Sequence, residues 1–339
     1  MKFCPNCFQT GYQGIYCSLC GYEEKPVTDH RVLAPGIWLK NRYVIGRVLG
    51  AGGFGITYLS FDTKTRLRWA VKEYFPLEWA NRTPGTNQIV SNSYSTDEYY
   101  YHGKQVFADE ANTLLGLKNN PAVVNVIDFF QENGTAYLVM EYLDGDTLEG
   151  YMRERQSPLP VELANRTVKE IGNALVRIHE NMLLHRDVSP DNIIYTSHRE
   201  LKLIDFGATR VYALNSPKRM SVLVKPGFAP LEQYSSSGKQ GPWTDVYALA
   251  ATYYYLVSGK KPPTAPERLT GAGLVPLRTL NPLVSQAMER AVHHALETNW
   301  EARPKDMRQF IMEMELDKVK TEYEEEAQKL RTMTKWDRY

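Results

Sequence analysis

The run His185-Arg186-Asp187-Val188-Ser189-Pro190-Asp191-Asn192 carries the strongest signal in this 339-residue chain. The Asp187 carboxylate can orient a hydroxyl and accept its proton. Five positions on, the Asn192 amide offers a neutral oxygen to a hard divalent cation. Upstream, Ala164, Val168, Ile171, Leu175 and Ile178 step by four and three, which predicts an amphipathic helix leading into the run. Downstream, Leu201-Lys202-Leu203-Ile204 reads as a short strand ending on Asp205-Phe206-Gly207, which supplies a second carboxylate. Taken singly, His185 reads as a core histidine and Asp205 as a turn residue. Their order along the chain is what carries information.

Toward the N-terminus, Tyr43-Val44-Ile45 and Val48-Leu49 read as strand, followed by Gly50-Ala51-Gly52-Gly53-Phe54-Gly55 and a second strand, Ile56-Thr57-Tyr58-Leu59. Glycines in a dinucleotide-binding turn should precede a helix. Here β-branched and aromatic residues follow, so a hairpin covering a phosphate chain fits better. About twenty residues on, Trp69-Ala70-Val71-Lys72 is an apolar strand ending in a cation, which alone would read as a solvated strand end.

The ordered set resembles a protein kinase from about Tyr43 to Phe310, most of the chain. The resemblance implies an α+β, bilobal fold, with a small β-rich N-lobe at about 43–143 and a larger helical C-lobe at about 144–313. It gives Lys72 the α- and β-phosphates of ATP, with Glu110, in the helical run Val106 to Leu115, holding the lysine; Asp109 should face elsewhere, and Glu98 is a weaker rival. By the same resemblance Leu49, Gly50, Gly52, Gly53, Gly55, Thr57 and Ala70 line the nucleotide, Met140 backs the adenine, and the backbone of Glu141 to Leu143 bonds it. Asp187 becomes the catalytic base, and Asn192 and Asp205 the ligands of Mg²⁺.

Ser189 departs from the pattern. Most Ser/Thr-specific kinases have a lysine there that contacts the transferred phosphoryl group, and losing one such contact costs about 3 kcal/mol, roughly a hundredfold in rate. Lys225 is a cation that could substitute. The long stretch from Lys72 to Glu110, rich in Asn, Ser, Thr and Tyr between Asn81 and Tyr101, reads as a surface insertion. Val123 to Phe130 and Ala136 to Met140 read as strands joined by Glu132-Asn133-Gly134.

Ala229-Pro230-Leu231-Glu232 resembles the A-P-E segment of protein kinases. Arg303, in Trp300-Glu301-Ala302-Arg303-Pro304, could brace Glu232 as a bidentate pair. Asp245-Val246-Tyr247-Ala248-Leu249 resembles the helix whose aspartate secures the catalytic-loop backbone. These features favour a protein substrate over a metabolite. Thr209, Ser216 and Ser221, among Arg210, Lys218 and Arg219, are candidate sites of activating phosphorylation, Ser216 and Ser221 foremost, with Arg186 as a receiver of the phosphate.

Cys4-Pro5-Asn6-Cys7 and Cys17-Ser18-Leu19-Cys20 are two C-x2-C pairs that can present four thiolates to one tetrahedral ion, and zinc is the natural occupant. Disulfides are the alternative, but they belong to oxidising compartments. The segment resembles a zinc ribbon, with Gly11, Gly14 and Gly21 at its turns. Four thiolates leave no open position for water, so the metal would be structural. With only Lys2 and Lys25 nearby, a protein contact fits the ribbon better than nucleic acid.

Lys plus Arg (40) against Asp plus Glu (39) leaves a formal charge of +1, which argues against a polyanion binder. The longest nearly apolar run, Tyr247 to Val257, is far short of a membrane span, and the expectation is a cytoplasmic protein. The chain divides into a zinc ribbon at 1–24, a linker at 25–42, a kinase domain at 43–313 and a C-terminal helix at 314–339, whose oligomeric role is open. The expected function is a bacterial-type Ser/Thr protein kinase that uses Mg·ATP and autophosphorylates. Its bacterial style rests on resemblance in Leu33-x-Pro35-Gly36, Gly52 to Tyr58 and Lys72-Glu73-Tyr74-Phe75-Pro76. The alternatives are a pseudokinase scaffold that binds nucleotide and a partner without transfer, for which Ser189 speaks, and a small-molecule kinase.

Overall fold

The computed structural model describes residues 3–10, 12, 14–23, 29–53, 55–117, 120–206, 210–211 and 224–315. Phe54, Gly207, the candidate phosphorylation sites Thr209, Ser216 and Ser221, the cations Lys2, Lys25, Lys218 and Arg219, Gly11, and residues 316–339 of the expected terminal helix lie outside the described residues; of Arg210 only the backbone is described. Two compact units divide the chain, one within Met1–Asn119 and Val124–Asp144, the other within Asn120–Val123 and Gly145–Tyr339.

The first unit is built on an antiparallel sheet of β1 (Trp38–Leu39), β2 (Tyr43–Gly52), β3 (Gly55–Asp62), β4 (Arg68–Tyr74), β7 (Val126–Glu132) and β8 (Thr135–Glu141), in the order β1-β2-β3-β4-β8-β7. One buried face carries Tyr43, Ile45, Tyr58, Val71 and Val139. β7 and β8 turn through Asn133 and Gly134, both at positive φ, as a tight two-residue hairpin loop requires. The helix α1 (Tyr94–Gly116) buries Phe107, Ala111 and Leu114, one stripe at helical spacing, and packs on β7 and β8.

Two parts of this unit differ from expectation. Part of the stretch read as a linker is built into the sheet: β1 pairs with β2, Leu33 and Leu39 are buried, and the backbone N–H of Leu33 donates to the Tyr58 hydroxyl at 3.1 Å. The stretch read as a surface insertion holds a second hairpin, β5 (Ala80–Arg82) with β6 (Ile89–Ser91), and α1 begins at Tyr94, twelve residues before Val106. Ala80, Arg82, Ile89 and Tyr100 are all buried. The Ser93 N–H, donating to Thr96 Oγ1 at 3.0 Å, starts the helix.

In the second unit, α3 (Val161–Glu180) follows β9 (Gly145–Thr147) and α2 (Leu148–Arg155). All five stepping positions of α3, from Ala164 to Ile178, are fully buried. After β10 (Leu183–Leu184), a 3-10 turn (Pro190–Asn192) enters the sheet of β11 (Ile193–Thr196) and β12 (Leu201–Leu203), ordered β12-β11-β9, while β13 (Arg210–Val211) pairs with β10. α4 (Pro242–Ser258) is buried on nearly every side, as a core helix with no polar face must be. It is followed by α5 (Ala265–Leu269), α6 (Leu277–Leu280) and α7 (Gln286–Ala295). Residues 307–315 are helical and return to α3, where Glu315 pairs with Lys169 at 2.7 Å. No helix among the described residues is long and apolar enough to cross a membrane.

Candidate functional site

The four cysteine sulfurs lie within 4.8 Å of one another. Cys4 and Cys20 are 3.7 Å apart and Cys7 and Cys17 3.8 Å, close to the edge of about 3.8 Å that four bonds of about 2.3 Å define around a tetrahedral zinc. Each pair sits on a similar turn, closed by Phe8 N–H to Cys4 O at 2.9 Å and Gly21 N–H to Cys17 O at 2.8 Å. Among the described residues the apolar core here is Cys4, Tyr12 and Cys17, flanked by Cys7 and Tyr22, too little to hold a fold without a cross-link or an ion. Burial pushes the Cys4 thiol up to about 12 and raises Cys7, so a cation is what would let all four ionise together.

The ribbon rests on the root of the β2–β3 hairpin. The Arg47 N–H donates to Pro5 O at 2.9 Å, Arg47 Nε to Asn6 Oδ1 at 2.7 Å, and the Phe8 ring stacks on Phe61 at 5.5 Å. Gly46 permits this approach: a Cβ there would stand 2.2 Å from Pro5 O and 2.6 Å from the Phe8 ring. Gly46→Ala should therefore weaken the seating by about 2 kcal/mol, a factor of about thirty. Limited proteolysis should release the ribbon correspondingly faster; an unchanged rate would show that the contact does not hold the ribbon.

In the same unit, β4 carries Lys72 opposite Thr57 of β3 and Leu138 of β8. Its ammonium reaches Glu110 Oε1 at 3.4 Å, with the Glu110 side chain 4% exposed. The rivals separate cleanly: Glu98 is exposed, and Asp109 faces outward and accepts from Gln105 at 3.0 Å. Among the described residues nothing lies within 4 Å of where a Cβ would stand on Gly50, Gly52 or Gly53, whereas one on Gly55 would sit 2.6 Å from Glu73 O. Gly55 is thus required by the sheet itself; at the other three the protein leaves open space. Ala70 is buried opposite Leu59 and Met140. The Glu141 N–H donates to Asn125 O at 2.8 Å, so that bond is spent inside the protein.

In the second unit, the catalytic-loop candidates form one hydrogen-bonded group. Asn192 Nδ2 donates to both Asp187 O and Asp187 Oδ2 at 2.8 Å, and this use of its nitrogen turns the amide so that its oxygen remains as the donor for a cation. Burial pushes the Asp187 carboxyl up, against the pull of Lys225, His185 and Asn192, which makes it a better proton acceptor than an exposed aspartate. Asp205 has φ of +60°, unusual for a residue with a side chain, and the Phe206 ring packs edge-on against His185 at 4.6 Å. Arg186 also has positive φ, at +70°.

Asp245, on α4, holds this loop. Its Oδ2 accepts from His185 N–H at 2.9 Å and lies 2.8 Å from His179 Nε2, and its Oδ1 accepts from Arg186 N–H at 2.7 Å. Burial pushes the His185 imidazole down, keeping it neutral. Arg303 and Glu232 make the expected bidentate pair, at 2.8 and 3.1 Å, both buried, and Thr244 donates to Glu232 Oε1 at 3.0 Å. Lys225 Nζ bonds Ser189 Oγ at 2.7 Å and pairs with Asp191 at 2.5 Å.

Sequence reasoning missed three residues. His179 and Gln233, whose Nε2 donates to Arg186 O at 2.8 Å, buttress the loop. Glu73, next to Lys72, is fully buried and takes Arg82 at 2.7 Å and the hydroxyls of Tyr58 and Tyr137 at 2.8 Å each. His179 could have been found as the polar end of the buried α3 stripe. The Glu73–Arg82 pair gives no such signal, since it depends on where a hairpin lands.

Comparison with known proteins agrees with this geometry. The family model for the protein kinase domain matches residues 43–315. The serine/threonine-protein kinase PknA of Nostoc sp. is 30% identical over 234 residues, 66% of this chain and 38% of that protein. The serine/threonine-protein kinase PrkC of Bacillus subtilis is 28% identical over 225 residues, 66% of this chain and 31% of that protein. The chain thus spans less than two fifths of the length of these relatives. Among solved structures, one titled PpkA-294 apo form matches with a TM-score of 0.74 and 30% identity, covering 84% of this chain and 99% of that one.

Proposed function

This chain belongs to the protein kinase family, and from that premise we propose that it moves the γ-phosphoryl group of ATP to a serine or threonine hydroxyl of a protein, its own included. The observation that carries the reading is the Asp187–Asn192 group, held on a loop whose backbone is tied to the buried carboxylate of Asp245. Asp187 takes the proton of the attacking hydroxyl. Lys72, oriented by Glu110, pairs with the nucleotide's phosphates. The β2–β3 hairpin, with Leu49, Gly50, Gly52, Gly53, Gly55 and Thr57, would cover the nucleotide, and Ala70 and the backbone of Glu141 to Leu143 would meet its base. The donor set of Asn192 Oδ1 and Asp205 suits a hard cation, and Mg²⁺ bound there would neutralise charge on the phosphates. The buried Glu232–Arg303 pair supports a protein substrate over a metabolite.

We also assign Cys4, Cys7, Cys17 and Cys20 to one structural zinc, in a ribbon at 1–24 that seats a protein partner. Four cysteines assigned to a metal and not to disulfides fit a reducing compartment, and the cytoplasm is the one we infer. The kinase domain is taken as 43–313.

Purified protein incubated with labelled ATP and Mg²⁺ should label protein substrate and itself. Asp187→Asn should lose about 10²- to 10⁴-fold of that rate while still binding ATP. Equal labelling by both proteins, or tight ATP binding without transfer by either, would overturn the enzyme reading, the latter in favour of a scaffold. Turnover on metabolites that is indifferent to Glu232→Ala would redirect it to a small-molecule kinase.

A further inference from the structure

We infer that Lys225 is the cation that meets the phosphoryl group during transfer. The inference rests on the kinase reading above and adds a catalytic residue to it. Phosphoryl transfer spreads negative charge over three equatorial oxygens, so most of the catalysis must come from positive charge fixed in place beforehand. The loop that carries Asp187 also carries Asp191, and at position 189, where the kinase resemblance leads one to expect a lysine, it has a hydroxyl.

The side chain that fills this need comes from another segment of the chain. Lys225 Nζ is 2.7 Å from Ser189 Oγ and 2.5 Å from Asp191 Oδ2. Ser189 is fully buried, so its hydroxyl is a fixed acceptor that locates the ammonium two residues from Asp187. Asp191 is about half exposed and the lysine side chain is 30% exposed, so the ammonium is positioned without being sealed off. An ammonium has three donors, and two are directed at Ser189 and Asp191, leaving a third for an incoming oxygen anion.

In the step itself, the oxygen of the substrate hydroxyl forms a bond to the γ-phosphorus as the bond from that phosphorus to the β,γ-bridging oxygen breaks. The hydroxyl proton passes to the Asp187 carboxylate, and the bond pair stays with ADP. Lys225 exchanges no proton; it stabilises charge on the equatorial oxygens. Ser189 and Asp191 act through it, as positioning residues.

The test is relocation of the cation. Lys225→Met should lower kcat about a hundredfold or more, while KM for ATP and the melting temperature stay close to those of the wild type. Lys225→Arg should keep more activity than Lys225→Met. Adding Ser189→Lys to Lys225→Met should restore at least tenfold of the lost kcat, because it returns a charge to the same place from the loop side. A merely structural lysine predicts no such rescue. Lys225→Met with kcat within about threefold of wild type overturns this inference while leaving the kinase reading intact, and so does a loss that Ser189→Lys fails to recover. A wild-type protein that transfers no phosphate removes both, and that arm is read first.

Discussion

Asp245→Ala should lower the stability of the protein by about 3–5 kcal/mol and remove phosphotransfer, although Asp245 touches no substrate. The carboxylate is fully buried and satisfies the N–H groups of His185 and Arg186 together with His179. Truncation leaves three buried polar partners without their acceptor, each costing about 1–3 kcal/mol before relaxation. Asp245→Asn keeps the shape but turns an amide NH₂ toward one backbone donor, so a smaller loss is expected. The pH dependence has a definite sign. Burial raises this carboxyl, but the His179 hydrogen bond and the charges and N–H groups around it outweigh burial and hold it below its ordinary 3.8. Its contribution is therefore complete above that value and fades as pH falls through the lowered one. Denaturant unfolding of wild type and Asp245→Ala should differ fully near pH 7 and less in strong acid; curves that coincide at pH 7 would refute the account.

Arg82→Ala should cost a similar 3–5 kcal/mol in the first unit. Glu73 is fully buried, its salt bridge to Arg82 is 2.7 Å long, and removing the guanidinium leaves a carboxylate supported only by two tyrosine hydroxyls. Burial raises the Glu73 carboxyl above its ordinary 4.5 even with Arg82 in place, and the variant should raise it further. A group with a raised carboxyl value loses stability as pH rises through it, so the deficit of Arg82→Ala should shrink as pH falls from neutral toward the ordinary 4.5. The double variant Glu73→Gln, Arg82→Met removes both charges and should recover most of the loss, since a buried pair replaced as a whole is close to neutral. A single variant as stable as the wild type would show that the hairpin is not held by this pair. Because Glu73 adjoins Lys72, a shift of the hairpin would also reach the lysine.

How far the sequence could be read depended on the range of each interaction. The stripe of α3 was legible because burial repeats every three to four residues, and all five positions turned out buried. The Lys72–Glu110 pair was named through the kinase resemblance, with the helical spacing around Glu110 favouring it, and the two side chains lie 3.4 Å apart. The start of α1 was not, because Tyr94 to Gly103 is polar and aromatic, without an apolar stripe, and Tyr100 is buried under a hairpin that local pattern does not locate. Trp38 and Leu39 looked like linker because a two-residue strand is too short to show alternation. Lys225 could be named as a spare cation, but its 2.7 Å approach to Ser189 is a contact between residues 36 positions apart, which no local pattern foretells.

The carboxylate that steadies His185 and Arg186 belongs to α4, whose other side chains are almost all core. Natural selection on the chemistry therefore acts on packing too. A variant that merely tilts this helix changes the reacting groups without altering any of them, and many inherited losses of activity would be written in alanines and tyrosines that never meet a substrate.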